Sequence, residues 1–270
     1  MILRTYLTIG MCLYAIAAFA QKLPVVQIGG LRAPDRVKID GRVIEWGDKF
    51  QAYNKATQVF YTIANDDVYL YLIVRATNND AVQKISMGGI TLSISKTKKK
   101  TGDMPAITFP VYDKMGDKYF TLSDKPAIIK HTEKDKIQID SFISVKNRQL
   151  VENFKWIGLV DVKGVADSTL SIYNEEGIKS GVMIDADLNF NYELAIPLKY
   201  LEIGDKAASF YYNIKLNGGS RYSTNIIEAR PGLYTFTKAD GKNYVLDSGP
   251  GQAYKLFPTD FWGEYTLMKK

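Results

Sequence analysis

Alternating oxygen-bearing side chains between two strand-like segments are the clearest candidate for metal chemistry in this sequence. They are Asp185, Asp187 and Asn189, within the run Asp-Ala-Asp-Leu-Asn-Phe-Asn. Hard cations such as calcium take carboxylate and amide oxygens from loops of this kind. An EF-hand loop would need glycine in place of Phe190 and glutamate in place of Ile196, so that motif is excluded. The spacing therefore predicts a strand–turn–strand connection, and it leaves a structural calcium ion open.

Three tryptophans could stack on a sugar, because an aromatic ring packs well against the C–H face of a pyranose. Trp46 and Trp262 lie towards the two ends of the chain, and we expect both to be buried and to close the fold. Trp156 lies in a strand-like run in which alternation places Phe154 and Trp156 on one side. Trp156 is therefore a candidate sugar-binding residue, with a position in the core as the alternative.

Residues for nucleophilic or acid–base catalysis are scarce. The only histidine is His131, and the only cysteine, Cys12, lies in an N-terminal apolar run. A Cys–His pair and a multi-histidine zinc site are therefore excluded, and no serine sits in a Gly-x-Ser-x-Gly turn. Two facing carboxylates could hydrolyse a glycoside without any motif. Because nothing marks two acids as such a pair, the sequence predicts that the protein is not an enzyme.

The first twenty residues predict export. Arg4 supplies a positive charge ahead of an apolar run, and the run ends in a small-x-small cleavage site at Ala20. The run is shorter than the roughly 20 apolar residues of a membrane helix. We therefore expect a cleaved signal peptide at 1–20, one domain at 21–270 and no transmembrane segment after cleavage. Such a chain would be periplasmic, exposed on the cell surface or secreted by a bacterium, since it would carry no disulfide.

The charge is mildly basic, with 35 lysines and arginines against 29 acidic residues. The densest basic run is Lys98 to Lys100, which lies between strand-like segments without interleaved aromatic residues. Nucleic-acid readers combine basic residues with aromatic ones on one surface. We therefore expect no nucleic-acid partner.

Period-two alternation dominates the chain and predicts strands. The segment 68–74 is apolar on both faces, which is typical of a central strand. The segment 208–216 alternates between an apolar face and a more polar one, as in a strand with one face in water. Alternation also predicts a strand at 137–145. Short helices are expected after Asn78 or Asn79 and at 146–153. With glycine-rich turns between many short strands, the prediction is an all-β fold: a single antiparallel β-sandwich, jelly-roll-like, with one or two short helices.

Three segments together resemble the family 9 carbohydrate-binding modules and the related DOMON-like sandwiches, as found in exported proteins of Bacteroidetes. The segments run from Ile39 to Trp46, from Asp66 to Tyr71, and from Tyr192 to Leu198, and a C-terminal Phe-Trp-Gly at 261–263 follows them. The resemblance covers almost all of the chain after the signal. It implies a β-sandwich that binds a sugar between two tryptophans, with calcium bound structurally.

The sugar clamp of that family is not matched residue by residue. Its first tryptophan would fall in 79–86, which contains no aromatic residue, and its second falls near Tyr254, ahead of Pro258. Tyr254 is therefore the second candidate ligand-binding residue, beside Trp156. The expected function is a non-catalytic binding module for a glycan or another extracytoplasmic ligand. The alternatives are an envelope protein that has lost the clamp and binds a protein partner, and, third, a glycoside hydrolase.

Overall fold

The computed structural model describes residues 22–98, 104–112, 120–126, 132–201, 203, 209–219, 223–230, 233–238, 241–247 and 252–269. The predicted signal peptide at 1–20 and His131 lie outside these residues. Within them the fold is all-β, as predicted, with two antiparallel sheets packed as a sandwich. A smaller three-stranded sheet is formed by β11 (Ser223–Arg230), β12 (Leu233–Lys238) and β13 (Asn243–Asp247).

The first large sheet has five strands, paired in the order β1-β2-β3-β9-β8. They are β1 (Ala52–Asn54), β2 (Val59–Asn65), β3 (Tyr69–Ala76), β8 (Lys179–Ile184) and β9 (Phe190–Pro197). Strand β3 occupies the middle and is buried on both faces, which its apolar run predicts. It forms the rigid centre on which the candidate site is built.

The second large sheet has six strands, in the order β14-β10-β4-β5-β6-β7. They are β4 (Ile90–Ser95), β5 (Ala106–Val111), β6 (Trp156–Val160), β7 (Thr169–Ser171), β10 (Ser209–Leu216) and β14 (Thr259–Thr266). Alternate residues of the two sheets meet in one core, where Leu72 and Leu194 from one side and Leu92 and Ile214 from the other have no exposed surface. The two inner faces therefore bury each other, as in other sandwiches.

Within the described ranges, three α-helices connect the strands: α1 (Asn79–Gly88), α2 (Glu133–Asn153) and α3 (Gln252–Leu256). Helix α1 begins where the sequence predicts, because the Asn78 side chain accepts a hydrogen bond from the Ala81 amide at 2.8 Å. Across the part of the chain that the structure describes, no helix combines the length and apolar character needed to span a membrane.

The predicted strand at 137–145 is wrong, because these residues lie inside the 21-residue helix α2. A capping box starts the helix: the Thr132 hydroxyl accepts from the Asp135 amide, and the Asp135 carboxylate accepts from the Thr132 amide. Phe142, Lys146 and Leu150 then recur at helical spacing and turn towards the sandwich. Ile137 lies on the opposite face of the helix and is 64% exposed. An apolar residue at this exposed position makes the sequence look as if it alternates with a period of two.

Candidate functional site

The N-terminal segment 22–51, which we call the strap, covers part of the outer face of the five-stranded sheet. Its apolar residues Val43 and Trp46 pack against Tyr71 and Ile73 of β3 in a second, smaller core. The backbone of the strap is tied to the end of β2, where the Ala33 amide donates to the Asn65 carbonyl at 2.9 Å. The strap is therefore part of the folded domain and forms one wall of whatever lies beside it.

A buried glutamate, Glu193 of β9, holds the strap on the sheet. Its Oε2 accepts hydrogen bonds from the backbone amides of Asp40 (3.1 Å) and Gly41 (2.8 Å), and its Oε1 accepts from Trp46 Nε1 at 3.0 Å. Glu193 has no exposed surface. Gly41 is required because its φ is +83° and a Cβ would meet the Met183 amide nitrogen at 2.6 Å. The Asp-Gly and Trp of the segment from Ile39 to Trp46 thus converge on the Glu of the segment from Tyr192 to Leu198.

Burial raises the pKa of Glu193 to about 7, although the three N–H donors lower it. The segment from Asp66 to Tyr71, which also belongs to the family resemblance, joins the same cluster. Tyr71 lies edge-on to Trp46, with ring centroids 5.7 Å apart, and its hydroxyl donates to Asp66 at 2.7 Å. The three motifs therefore stabilise one junction in the fold. Trp46 is buried, as predicted, whereas Trp262 on β14 is half-buried.

Beyond the edge of the strap, one row of side chains crosses all five strands on the same face. The row is set by register: Tyr53 pairs with Phe60, Phe60 with Arg75, Arg75 with Asn191, and Asn191 with Met183. The rings of Tyr53 and Phe60 lie 4.6 Å apart between centroids, and both are half-buried. Two aromatic faces therefore lie next to an arginine at the open end of the sheet.

Arg75 is held in place from three sides. Its Nε donates to Asn191 Oδ1 at 2.7 Å, and one terminal nitrogen contacts Asp48 Oδ1 at 2.6 Å and Asp185 Oδ2 at 3.4 Å. Its guanidinium carbon lies 5.0 Å above the centroid of Phe50, a strap residue. A guanidinium fixed in this way presents planar donors in a defined orientation.

A pocket of about 360 Å³ adjoins this arginine. Its walls come from the strap, including Arg42, Ile44 and Asp48, and from β8, β9 and the turn between them. Ile44 is 72% exposed and gives the pocket an apolar wall. We call the pocket, with the adjacent rings of Tyr53, Phe60 and Phe50, the rim cleft. Aromatic rings, an apolar wall and fixed planar polar groups are what recognition of a polyhydroxylated ligand requires.

The three residues predicted to ligate calcium lie in the β8–β9 turn, at the margin of the rim cleft. Asp185 Oδ1 accepts from the amides of Asp187 (3.0 Å) and Asn189 (2.9 Å), and its Oδ2 accepts from the side-chain amides of Asn189 and Asn191. The predicted strand–turn–strand connection is therefore present. Among the residues that the structure describes, no three His, Cys, Asp or Glu side chains cluster as metal ligands. Asp185 instead organises the turn and contacts Arg75.

The two predicted sugar-binding aromatics lie on separate elements, outside the rim cleft. Trp156 begins β6 and is half-buried, while Phe154 and Ile157 both enter the core, so Phe154 and Trp156 do not share a face. Tyr254 lies in α3, and its hydroxyl donates to the Thr57 carbonyl at 2.7 Å. Its ring is covered by the Lys84 ammonium, 4.1 Å from the centroid.

Sequence reasoning missed the aromatic residues and the arginine of the rim cleft. Tyr53, Phe60 and Arg75 come from three strands, and no local spacing connects them. Only the pairing register brings them together. The one available signal was Arg75 itself, a charged residue at the end of the apolar strand β3.

Comparison with known proteins adds no family to this picture. No protein-family model matches the chain, and no curated protein matches it.

Proposed function

We propose that the protein is a non-catalytic carbohydrate-binding module and that the rim cleft is its binding surface. One observation carries the proposal: the cross-strand row places the rings of Tyr53 and Phe60 beside Arg75, which is immobilised by Asp48 and Asn191. The rings offer stacking surface to the C–H face of a sugar, and the planar polar groups can exchange hydrogen bonds with its hydroxyls.

The proposal includes export, on the strength of the signal-like segment 1–20 and the sandwich resemblance. The ligand would then be an extracytoplasmic glycan, met in the periplasm, at the cell surface or in the medium. Asp48 and Asp185 both contact Arg75, so neither is placed as an independent acid or base. A panel of chromogenic glycosides is therefore expected to show no turnover.

Phe60→Ala tests the proposal directly. We expect a glycan array with the purified chain to identify binding saccharides, and the substitution to weaken their binding about tenfold, the equivalent of one aromatic stacking contact of about 1.4 kcal/mol. Tyr173→Ala is the matched control, since Tyr173 is an aromatic residue that is 80% exposed elsewhere on the surface. Silence of the wild type across neutral and acidic saccharides would reject the proposal, as would equal losses in both variants.

A second candidate, an envelope sandwich that binds a protein instead of a sugar, is favoured by the contact of Lys84 with Tyr254. The segments at 79–86 and around Tyr254, where the resembling family carries its clamp, lie in α1 and α3, which pack together here. A buried ammonium occupies the ring face that a sugar would need. Chemical crosslinking in native envelopes should then yield one defined complex, and a chain that stays monomeric there would count against this function.

A further inference from the structure

The rim cleft is built from two parts of the chain that only tertiary contacts hold together. The sheet supplies Arg75 and Asn191, whereas the strap supplies Asp48 and Phe50, which contact Arg75 from above. The side chain of Asp48 is 65% exposed, and its Oδ1 contacts the Arg75 guanidinium at 2.6 Å. The site is therefore complete only when the strap lies in its observed position.

The nearest fixed point of the strap is Trp46, two residues before Asp48. A tight turn links them, in which the Gly47 amide donates to Ile44 at 2.9 Å and the Lys49 amide to Trp46 at 3.3 Å. Gly47 and Asp48 both adopt the left-handed backbone region, with φ of 62° and 54°. Such a turn transmits the position of Trp46 to Asp48 with little freedom. Glycine adopts this region readily, but for Asp48 it is sparsely populated unless its surroundings impose it.

We propose that Glu193 is the positioning residue of the rim cleft: its carboxyl group, by holding Asp40, Gly41 and Trp46, keeps the strap where Asp48 and Phe50 meet Arg75. Glu193 does not itself line the pocket. It lies on the covered row of the same sheet face, two residues along β9 from Asn191, which lines the pocket. The effect of Glu193 on ligand binding rests on the proposed function, whereas its hold on the strap does not.

The environment of Glu193 makes this hold sensitive to pH. Across β3 and β8 its register partners are Ile73 and Gly181, which are uncharged, and the strap brings Asp40 close to it. Burial raises the pKa of Glu193 to about 7. Opening of the strap would return the carboxyl group to water, where its pKa falls to that of an ordinary glutamate. Because the open state binds the proton less tightly, opening becomes easier as pH rises from about 4.5 to about 7.

Hydrogen exchange of the strap tests the proposal without any ligand. In Glu193→Gln, an NH2 group replaces one of the accepting oxygens. A protonated carboxyl oxygen can still accept a hydrogen bond, whereas NH2 only donates and would face a backbone or indole N–H unpaired. We therefore expect exchange in 42–50 to accelerate at least tenfold while β3 and β9 stay protected. Trp46→Phe, which removes the indole N–H together with the ring atoms that carry it, should accelerate the same segment. In the wild type, exchange corrected for its intrinsic rate should rise between pH 5 and pH 7.5, and this rise should vanish in Glu193→Gln. Glu264→Gln on the exposed face of β14 is the control.

The results separate the two proposals. Unchanged exchange at 42–50, or equal acceleration of all strands, would overturn the positioning role, since the second result indicates a merely structural loss. If a saccharide binds the wild type, Glu193→Gln should weaken it at least tenfold, and unchanged affinity would also overturn the role. If no saccharide binds, the proposed function fails and the exchange data alone decide whether Glu193 holds the strap.

Discussion

Replacing Lys84 by methionine should stabilise the protein at neutral pH, although it removes every polar contact of the side chain. Lys84 lies in α1 with no exposed surface. Its ammonium donates to Thr259 Oγ1 at 2.9 Å and lies over the ring of Tyr254, and no ion pair with a carboxylate is present among the described residues. A charge taken out of water without an opposite charge is costly, and an apolar residue of similar length avoids that cost.

The magnitude follows from the pKa. Burial lowers the pKa of Lys84 from 10.5 to about 8. Each pKa unit is worth about 1.4 kcal/mol, so the buried charge costs about 3 kcal/mol at pH 7 relative to the neutral amine. Methionine forfeits the bond to Thr259 and part of the contact with Tyr254, about 1 to 2 kcal/mol together. The net gain at pH 7 is therefore about 1 to 2 kcal/mol.

The sign of the pH dependence distinguishes this cause from better packing. The free-energy cost of the buried Lys84 ammonium applies in full below pH 8. It disappears as pH rises towards 10.5, because the unfolded chain binds the proton more tightly in that window. Wild-type stability relative to Lys84→Met should therefore rise by about 3 kcal/mol between pH 7 and pH 10.5. Ionisation of tyrosines in the unfolded chain affects both proteins alike and cancels in the difference.

Urea unfolding of both proteins at intervals between pH 7 and pH 10.5 measures this difference. Lys134→Met on the exposed side of α2 is the control, and its effect should be small and independent of pH. A difference between wild type and Lys84→Met that stays constant over this range would refute the reasoning, whatever its sign at pH 7. So would a wild type that is more stable than the variant at pH 7.

Two further predictions concern the β8–β9 turn, where the sequence left a calcium ion open, and helix α2, where the sequence predicted a strand. Because Asp185 already accepts four hydrogen bonds within its turn, we expect calcium followed by EDTA to leave the melting temperature unchanged; a calcium-dependent rise that is lost in Asp185→Asn would contradict this. Thr132→Ala should cost about 1 kcal/mol in urea unfolding by removing the cap of α2. Ser141→Ala, on the exposed face of the same helix, should cost less than about 0.5 kcal/mol. Equal losses in the two variants would contradict the capping argument.

The sheets could be predicted because their strongest strands carry the signal locally. Strand β3 is apolar on both faces and β10 alternates cleanly, so each indicates its own environment without reference to a partner. Helix α2 could not be read in this way, because the branched apolar residue Ile137 on its exposed face imitates strand periodicity. The Thr132–Asp135 spacing was a helix-start signal that outweighs the alternation in the folded chain.

The candidate site depends on information that the sequence carries only through strand pairing. Phe60 and Arg75 are cross-strand partners, but no spacing between them distinguishes this register from one shifted by two residues. Glu193 is a different case. It is the one charged residue of a strand that is buried throughout, and a carboxylate there signals either a partner or a shifted pKa. That signal was present in the sequence, but its partners, the strap amides and Trp46, could be identified only in three dimensions.

The buried positions of Glu193 and Lys84 predict an unusual dependence of stability on pH. Each is an ionisable group with no exposed surface, and each links separate elements of the fold: Glu193 contacts the strap, and Lys84 contacts helix α3 and the first residue of β14. The free-energy cost of burying the Glu193 carboxylate applies in full above about pH 7. The cost of burying the Lys84 ammonium applies in full below about pH 8. Between these values both groups are charged in the folded protein. The two junctions therefore hold their segments least firmly near neutrality, where most proteins are most stable, and the strap wall of the rim cleft is attached through one of them.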